Sequence, residues 1–207
     1  MTDMPRNPAN TRDSIVSAAA KLFYAEGIRA VSVDAVSEMA GITKKTFYYH
    51  FRSKDELIAA YLDSRDQPTL ALYARWFEAT EGSLQDKVKG LFVQFAQAAS
   101  TPKWKGCGFF RTIAELANTP GHPALKVGAG HKKRFEAWLT DVLVKEEVCE
   151  AADTARKIAI LLDGAAAVML IHRDPAYVEA AGEVAALLIE PFPAEAMSVG
   201  TPLPPFK

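Results

Sequence analysis

The chain has 207 residues, of which 49% are hydrophobic, so it is long and apolar enough to form one large domain or two small ones. Its net charge is only −1, which predicts no general attraction to polyanions and means that any basic surface must be local. The two cysteines, Cys107 and Cys149, lie far apart, which argues against a disulfide framework and fits a reducing cytoplasm.

Helical signals begin soon after residues 1–10, whose composition predicts a flexible N-terminus. Apolar residues recur with helical spacing over 15–23, and Gly27 is placed to end this first helix. Ser32 is a suitable N-cap for a short second helix over 33–40. These elements predict a compact helical start to the chain.

Two further helices follow at once. Gly41 breaks the second helix, and Thr43 is a suitable N-cap for a third over 43–50. Ser53 opens a fourth helix, which continues to about Thr80; the pattern Ser-x-x-Glu at its start indicates a capping box. The sequence therefore predicts four helices within the first 80 residues.

The second half of the chain is also helical in pattern, and strand signals are nearly absent throughout. Five more helices are predicted near 84–100, 108–118, 123–147, 153–172 and 175–190. The Pro-rich tail at 191–207 is predicted to be extended or flexible. We therefore expect an all-α fold of about nine helices.

A membrane location is not expected. The longest nearly apolar run, 158–171, is too short to cross a bilayer and carries Asp163. The N-terminus also lacks a signal-peptide core. These features predict a cytoplasmic protein without a membrane partner.

The stretch GITKKTFYYHFRSKDEL, at 41–57, contains basic and aromatic residues but no acid before Asp55. A helix, a turn at Gly41 and a second helix form the pattern of a helix-turn-helix. Phe47 and Phe51 are one turn apart and are expected to face inward, which leaves the lysines and tyrosines outside. A helix of this kind fits the major groove of DNA, where basic and hydroxyl side chains contact phosphates and bases. Taken in isolation, the Lys44-Lys45 pair is also explained by an ordinary helix whose outer side faces solvent.

The first part of the chain, roughly residues 11 to 60, resembles the N-terminal domain of the TetR family of bacterial transcriptional regulators. The stretch that carries the resemblance is TRDSIVSAAAKLFYAEGIRAVSVDAVSEMAGITKKTFYYHFRSKDELIAAYL. The resemblance implies a helix-turn-helix DNA-binding domain at 11–58 and an effector-binding and dimerisation domain at 59–190. It departs from the family pattern at Met39, where a small residue is more common, and at Lys45, where glycine is common. The DNA contacts that it implies come from Ser32, Val33, Thr43, Lys44, Lys45, Thr46, Tyr48, Tyr49, His50 and Lys54.

The resemblance also implies an effector pocket in the second domain. Aromatic residues at helical spacing there are typical of a plain core, but they also suit an unfilled apolar cavity. The candidate ligand-binding residues are Trp76, Phe77, Phe92, Phe95, Cys107, Phe110 and Trp138, with Phe109 as a further aromatic neighbour. Cys107 lies between two glycines at a predicted helix start, so it is either a reactive thiol sensor or an inert small residue. Arg111 and Glu115, one turn apart, are interpreted as a surface ion pair of little energetic weight.

A helix-turn-helix reads few base pairs, so two copies usually bind together. The helix predicted at 153–172 is apolar nearly all round, which suits burial on two sides. Together with the last helix it predicts a four-helix dimer interface, although both helices could instead lie inside one monomer's core. The candidate interface residues are Leu161, Gly164, Ala165, Val168, Val178, Ala181, Ala185 and Leu188.

No catalytic residues, cofactor or metal site are predicted. No catalytic triad order, phosphate-binding loop or carboxylate pair is evident, and His122 and His131 have no third ligand nearby. The sequence therefore predicts a homodimeric repressor that binds a palindromic double-stranded DNA operator and releases it when a small, largely apolar effector binds. The alternatives are an all-α enzyme or small-molecule carrier with an ancillary DNA-binding head, and a thiol-based redox or electrophile sensor using Cys107.

Overall fold

The computed structural model describes residues 8–189, and nine α-helices account for most of that span, with no strand in it. The fold is therefore all-α, as predicted. The helices are α1 (Pro8–Glu26), α2 (Val33–Ala40), α3 (Lys44–His50), α4 (Lys54–Ala79), α5 (Leu84–Ala99), α6 (Gly108–Glu115), α7 (Pro123–Lys145), α8 (Ala151–His172) and α9 (Ala176–Leu187). Helix α1 begins at Pro8, a little earlier than the sequence predicts. The Pro-rich tail at 191–207 lies outside the described residues.

Short-range polar contacts fix the ends of the early helices. The hydroxyls of Ser32, Thr43 and Ser53 each accept a hydrogen bond from a backbone amide in the first turn that follows, at 3.1 Å. Gly41 takes the left-handed conformation, with φ of 63°, which a residue with a Cβ adopts at a cost. The predicted caps and the turn between α2 and α3 are therefore confirmed.

The predicted capping box at the start of α4 forms only in part. The carboxylate of Glu56 accepts a hydrogen bond from the backbone amide of Arg52 at 2.8 Å, one residue before the N-cap Ser53. A complete capping box occurs instead at the start of α5, between Ser83 and Asp86. The partial box still satisfies two amide donors that a helix start leaves exposed.

Two hydrophobic cores divide the molecule. The N-terminal core joins α1, α2, α3 and the first turns of α4, and it also receives Phe109 and Leu116 from the α6 region and Ala124 from α7. The second core joins the far half of α4 to α5, α7, α8 and α9. Helix α4 has 26 residues, so it is about 39 Å long and contributes to both cores. The two parts of the fold are thus connected by shared helices as well as by sequence.

Helix α9 approaches α5 closely. A Cβ atom placed on Gly182 of α9 would lie 2.7 Å from the Cβ atom of Phe92, which is fully buried in α5. Only glycine fits at that crossing without a backbone shift. Within residues 8–189 no helix is both long and apolar enough to cross a membrane.

Candidate DNA-binding surface and ligand cavity

Helix α3 has one buried side and one exposed side. Phe47 and Phe51 are fully buried, and their rings lie 5.8 Å apart in the N-terminal core. Tyr48 and Tyr49 are 51% and 78% exposed, and Lys45 is also exposed. Large aromatic side chains and an unpaired lysine that face solvent contribute little to the packing of their own chain. This outer face of α3 is therefore available to a partner.

Lys44 differs from its neighbour Lys45. The Lys44 Nζ atom lies 2.9 Å from the Asp34 Oδ1 atom of α2, and this hydrogen bond raises the Lys44 pKa. The stretch from 41 to 54 itself contains no acid, but the fold places Asp34 of α2 beside Lys44, a contact that the neighbouring sequence does not indicate. Lys45 makes no ion pair with any residue in the described part of the chain.

The other predicted DNA contacts lie around the outer face of α3. The hydroxyls of Thr43 and Thr46 are 2.9 Å apart, and the Tyr49 and His50 rings meet edge to face. Val33 is the first helical residue of α2, so its backbone amide has no acceptor within that helix. These groups surround the outer face of α3 with donors suited to phosphate oxygens.

Lys54 is turned partly inward. Its Nζ atom lies 3.4 Å from the backbone oxygen of Arg29, and partial burial lowers the Lys54 pKa. Its charge therefore lies at the junction of α4 with the α1–α2 loop, close to the outer face of α3 but not extended from it.

A cavity of about 560 Å³ lies between α1, α4, α5 and the segment that leads into α6. Its volume is in the range typical of small-molecule sites. One stripe of α4 forms the longest wall, because residues three or four apart share a helix face. The α4 residues that line it are Tyr61, Leu62, Arg65, Thr69, Leu72, Tyr73 and Trp76.

The cavity has two chemically different ends. Trp76 of α4, Phe95 of α5 and Trp104 surround what we call the aromatic end, where the Phe95 and Trp104 rings meet edge to face. Lys21 of α1 and Arg65 of α4 line what we call the cationic end. Lys21 and Arg65 form no ion pair with the described residues, and none of the described lining residues is Asp or Glu. The cavity therefore has an apolar body and an uncompensated positive charge.

Buried hydroxyls line the space between the two ends. Burial raises the pKa of the Tyr61 hydroxyl, although the positive charges of Arg65 and Arg111 oppose that effect. Burial also raises the pKa of the Tyr73 hydroxyl above its ordinary value. Both hydroxyls therefore stay protonated near neutral pH and act as donors rather than anions.

Of the predicted ligand-binding residues, Trp76, Phe95 and Cys107 line the cavity. Phe77, Phe92 and Trp138 belong to the second core instead, and Phe110 is exposed. Those four predictions are corrected, because helical spacing cannot show which face of a core is left unfilled. The sequence analysis missed the cavity residues of α1, since it assigned that helix to the DNA-binding domain, and of the α4 lining residues it singled out only Trp76.

Cys107 is half-buried at the start of α6. Its Sγ atom lies 3.9 Å from the Nζ atom of Lys132 in α7, and Lys132 also forms an ion pair with Asp163 of α8. The thiol is therefore in contact with the cavity on one side and with an ammonium group on the other.

A buried polar cluster lies behind the cavity wall. The Nδ1 atom of His131 is 2.7 Å from Oδ1 of Asp66, and Arg134 contacts the other carboxylate oxygen at 2.8 Å. Burial lowers the His131 pKa, whereas for Asp66 burial opposes the hydrogen bonds from His131 and Arg134, which together hold its pKa below the ordinary value. The ring of Phe109, which lines the cavity, stacks on His131 at 3.6 Å. Within 8–189 no group of three or more metal-ligating side chains forms a metal site.

Helix α6 connects the cavity to the N-terminal core. At its end, the Glu115 carboxylate accepts hydrogen bonds from the backbone amides of Ile28 and Arg29, and the Arg29 guanidinium donates to the backbone oxygen of Glu115 at 2.6 and 3.1 Å. Arg111 donates to the backbone oxygen of Tyr24 in α1. The predicted Arg111–Glu115 surface pair is therefore wrong, because each residue binds the α1–α2 region instead.

Helices α8 and α9 share an exposed apolar face. Ile160 and Ile171 of α8 are 65% and 73% exposed, and Tyr177, Val184 and Leu187 of α9 are also exposed. A Cβ atom placed on Gly164 would meet nothing within 4 Å. Of the predicted interface residues, Gly164 is exposed, and Leu161, Val168, Ala181 and Leu188 are half-buried, with Leu161, Ala181 and Leu188 packed against the second core. Ala165, Val178 and Ala185 are buried in their own protomer, so they are corrected to core residues.

Comparisons with known proteins agree on one family. The family model for bacterial regulatory proteins of the tetR family matches residues 15–61. The transcriptional repressor KstR2 of Mycolicibacterium smegmatis is 29% identical over 96 residues, which cover 46% of this chain and 46% of that protein. The regulator TtgR of Pseudomonas putida is 41% identical over 54 residues, 26% of each chain. The curated relatives are thus matched over less than half of their own length.

Solved structures match over nearly the whole fold. A TetR-family transcriptional regulator from Streptomyces coelicolor has a TM-score of 0.72 and 27% identity, and the match covers 87% of this chain and 94% of that one. The reduced form of NemR from E. coli has a TM-score of 0.78 over 89% of this chain and 99% of that one, and its 20% identity shows the shared fold alone.

Proposed function

This chain belongs to the TetR family of bacterial regulatory proteins, and from that premise we propose that it is a ligand-responsive, DNA-binding transcriptional repressor. In this proposal a homodimer holds a palindromic operator and releases it when a small molecule enters the cavity. The observation that carries the proposal is the exposed outer face of α3, where Tyr48 and Tyr49 are 51% and 78% exposed and Lys45 forms no ion pair with the described residues.

The outer face of α3 suits a major groove. Phe47 and Phe51 hold the helix from inside, so the exposed residues are presented on a rigid element. The amides at the start of α2 and the lysines around α3 supply phosphate contacts that set the position of the helix. The proposed role of α3 is therefore to read the base edges while its neighbours bind the backbone.

Dimer formation is proposed through the exposed face of α8 and α9. Contiguous exposed apolar side chains on a soluble protein mark an interaction surface. The two isoleucines of α8 and the exposed apolar residues of α9 line one side of the molecule, and the open space at Gly164 allows close helix approach. Two copies of this pair would form a four-helix bundle and hold two α3 helices for two half-sites.

Helix α6 supports the proposed ligand response. Its first residues line the cavity and its last residue, Glu115, binds the loop between α1 and α2. A ligand that moves the start of α6 would therefore disturb the position of the DNA-binding unit. By linkage, a ligand that weakens DNA binding must itself bind less tightly to the DNA complex than to the free protein.

A gel-shift titration with duplex DNA from the region upstream of the chain's own reading frame tests this proposal. We expect a saturable complex that an unrelated duplex of equal length does not displace. Lys45→Ala should weaken it, whereas Lys126→Ala, which removes an exposed lysine of α7 outside the helix-turn-helix, should not. Ligand binding without any DNA complex would favour the carrier alternative instead.

A thiol sensor is a second candidate, favoured by the contact between Cys107 and Lys132 at the cavity wall. The reactivity of a cysteine depends on the groups beside its sulfur atom, and here Lys132 is in contact with that atom. Alkylation with iodoacetamide should then modify Cys107 in preference to the exposed Cys149, and Lys132→Met should slow that reaction. Faster alkylation of Cys149 would leave Cys107 with a structural role only.

A further inference from the structure

The two ends of the cavity point to a more specific ligand than a small apolar molecule. The α4 stripe runs from Arg65 at the cationic end to Trp76 at the aromatic end, a separation of 11 residues along one helix. At 1.5 Å per residue this distance is about 16 Å. A compact apolar ligand would fill only one end, whereas an elongated ligand with two chemically different ends fills the whole cavity.

The charge of the cavity lining determines which polar group on a ligand would be favoured. Lys21 and Arg65 contribute two positive charges to the cationic end, and none of the described lining residues is acidic. Both side chains are exposed, so they are solvated in the free protein, but a ligand cation would be repelled there and only an anion gains charge-assisted hydrogen bonds from them. Arginine presents a planar fork of donors that matches a carboxylate, and lysine adds a point charge, so an acidic group satisfies both.

We infer that the cavity binds an amphipathic anion, with an apolar body among Trp76, Phe95 and Trp104 and one acidic group held between Lys21 and Arg65. This inference rests on the regulator proposed above and names the class of its effector. The hydroxyls of Tyr61 and Tyr73 lie along the path between the two ends as neutral donors, so they favour acceptor atoms in the middle of the ligand.

The position of the cationic end gives the anion a regulatory consequence. Lys21 belongs to α1, which is part of the N-terminal core, whereas Arg65 lies on α4, which joins the two cores. An acidic group bound by both residues would pull α1 and α4 together at this point. A neutral ligand with the same apolar body would fill the aromatic end without making that connection.

Two fluorescent probes with nearly the same aromatic body test the inference on the full-length chain. The first is 1-anilinonaphthalene-8-sulfonate, an anion, and the second is N-phenyl-1-naphthylamine, which is neutral. We expect the anion to bind about tenfold more tightly, because its sulfonate forms charge-assisted hydrogen bonds that the neutral probe lacks. Equal affinities, or tighter binding of the neutral probe, would overturn the inference.

Matched variants test whether Lys21 and Arg65 cause the preference for the anionic probe. The double variant Lys21→Gln, Arg65→Gln should lose most of the preference for the anion while keeping its affinity for the neutral probe. The control, Lys126→Gln with Arg75→Gln, removes the same charge from exposed positions that do not line the cavity, and it should keep the preference. A preference that survives in the first variant, or disappears in the control, would contradict the assignment of the two cationic residues.

A measurement on the unmodified chain avoids any dependence on the folding of variants. Displacement of the neutral probe by decanoate should need about tenfold less competitor than displacement by decanol. Operator binding measured in the same samples separates the two proposals. Normal operator binding without an anion preference overturns the effector class alone, whereas an anion preference without operator binding overturns the regulator and leaves an anion-binding protein.

Discussion

Two adjacent lysines at the start of α3 have different surroundings, and this difference predicts different contributions to DNA binding. Lys44 is hydrogen-bonded to Asp34, so DNA must compete with that carboxylate, whereas Lys45 has no partner among residues 8–189. We expect Lys45→Ala to lower the slope of log K against log salt by about one, as for one lost phosphate contact. Lys44→Ala should have a smaller effect.

Asp34 supplies the control for the comparison of the two lysines. Asp34→Asn removes the acid but keeps a similar shape, so it should free Lys44 and tighten DNA binding. Fluorescence anisotropy at several salt concentrations measures all three variants. Equal losses for Lys44→Ala and Lys45→Ala, with no gain for Asp34→Asn, would show that the Asp34 contact has no influence on DNA binding.

The buried Asp66–His131 pair predicts a loss of stability in mild acid. Because burial lowers the His131 pKa, the unfolded chain takes up a proton on this ring at a higher pH than the folded chain does. The free energy of unfolding should therefore fall as the pH drops below about 6.5, the ordinary histidine pKa. The lowered pKa of Asp66 adds a further loss below about pH 3.9, the ordinary aspartate value.

Urea unfolding between pH 8 and pH 5 measures the histidine effect. His131→Gln should show a weaker pH dependence than the wild type, because the group that takes up the proton is gone. His172→Gln removes an exposed histidine and should keep the wild-type dependence. An unchanged dependence in His131→Gln would assign the acid sensitivity to other groups.

At the scale of the helices, the crossing of α9 over α5 depends on one missing side chain. Gly182→Ala places a Cβ atom 2.7 Å from Phe92 Cβ, so the helices must separate or shift. Overpacking of this kind costs about 1–3 kcal/mol of the free energy of unfolding. Gly130→Ala is the control, because its Cβ atom would meet only the flexible end of Arg134. Denaturant unfolding in which Gly182→Ala is as stable as Gly130→Ala would refute the tight crossing.

Local signals predicted the helices better than they predicted the site. Ser32, Gly41 and Thr43 act through the chain immediately around them, so their roles follow from the sequence. The partners of Lys44 and Glu115 come from other helices, and no local pattern contains that information. The helix-turn-helix could therefore be predicted from the sequence, whereas its ion pair with Asp34 and its connection to α6 could not.

The lining of the cavity also depends on contacts between helices that no local sequence pattern contains. Phe109 and Phe110 are neighbours in sequence, yet Phe109 lines the cavity and Phe110 is exposed. Aromatic content predicted an apolar pocket that includes Trp76 and Phe95, whereas Cys107 was singled out by its place between two glycines at a predicted helix start. The cationic end was not predicted, because Lys21 and Arg65 approach the cavity only through the packing of α1 against α4.

For the whole molecule, the exposed face of α8 and α9 predicts a dimer. Ile171→Glu places a charge at a site that is 73% exposed in the protomer, so it should not unfold the chain. It should shift the sedimenting species from twice the chain mass of 22.5 kDa to that mass itself. Val144→Glu, on the exposed side of α7, should leave the dimer intact. A wild-type chain that sediments as a monomer at micromolar concentration would contradict this interface.

From the two cores, the cavity between α1 and α4, and the α6 connection, we propose that ligand and DNA compete for one arrangement of the N-terminal unit. The most direct test is a titration of a duplex from the chain's own upstream region, followed by anisotropy with and without decanoate. We predict saturation at two chains per duplex, a marked decrease in affinity with salt, and release of the DNA as decanoate is added. Binding no tighter than to an unrelated duplex of equal length would contradict the central claim that this protein is a DNA-binding regulator.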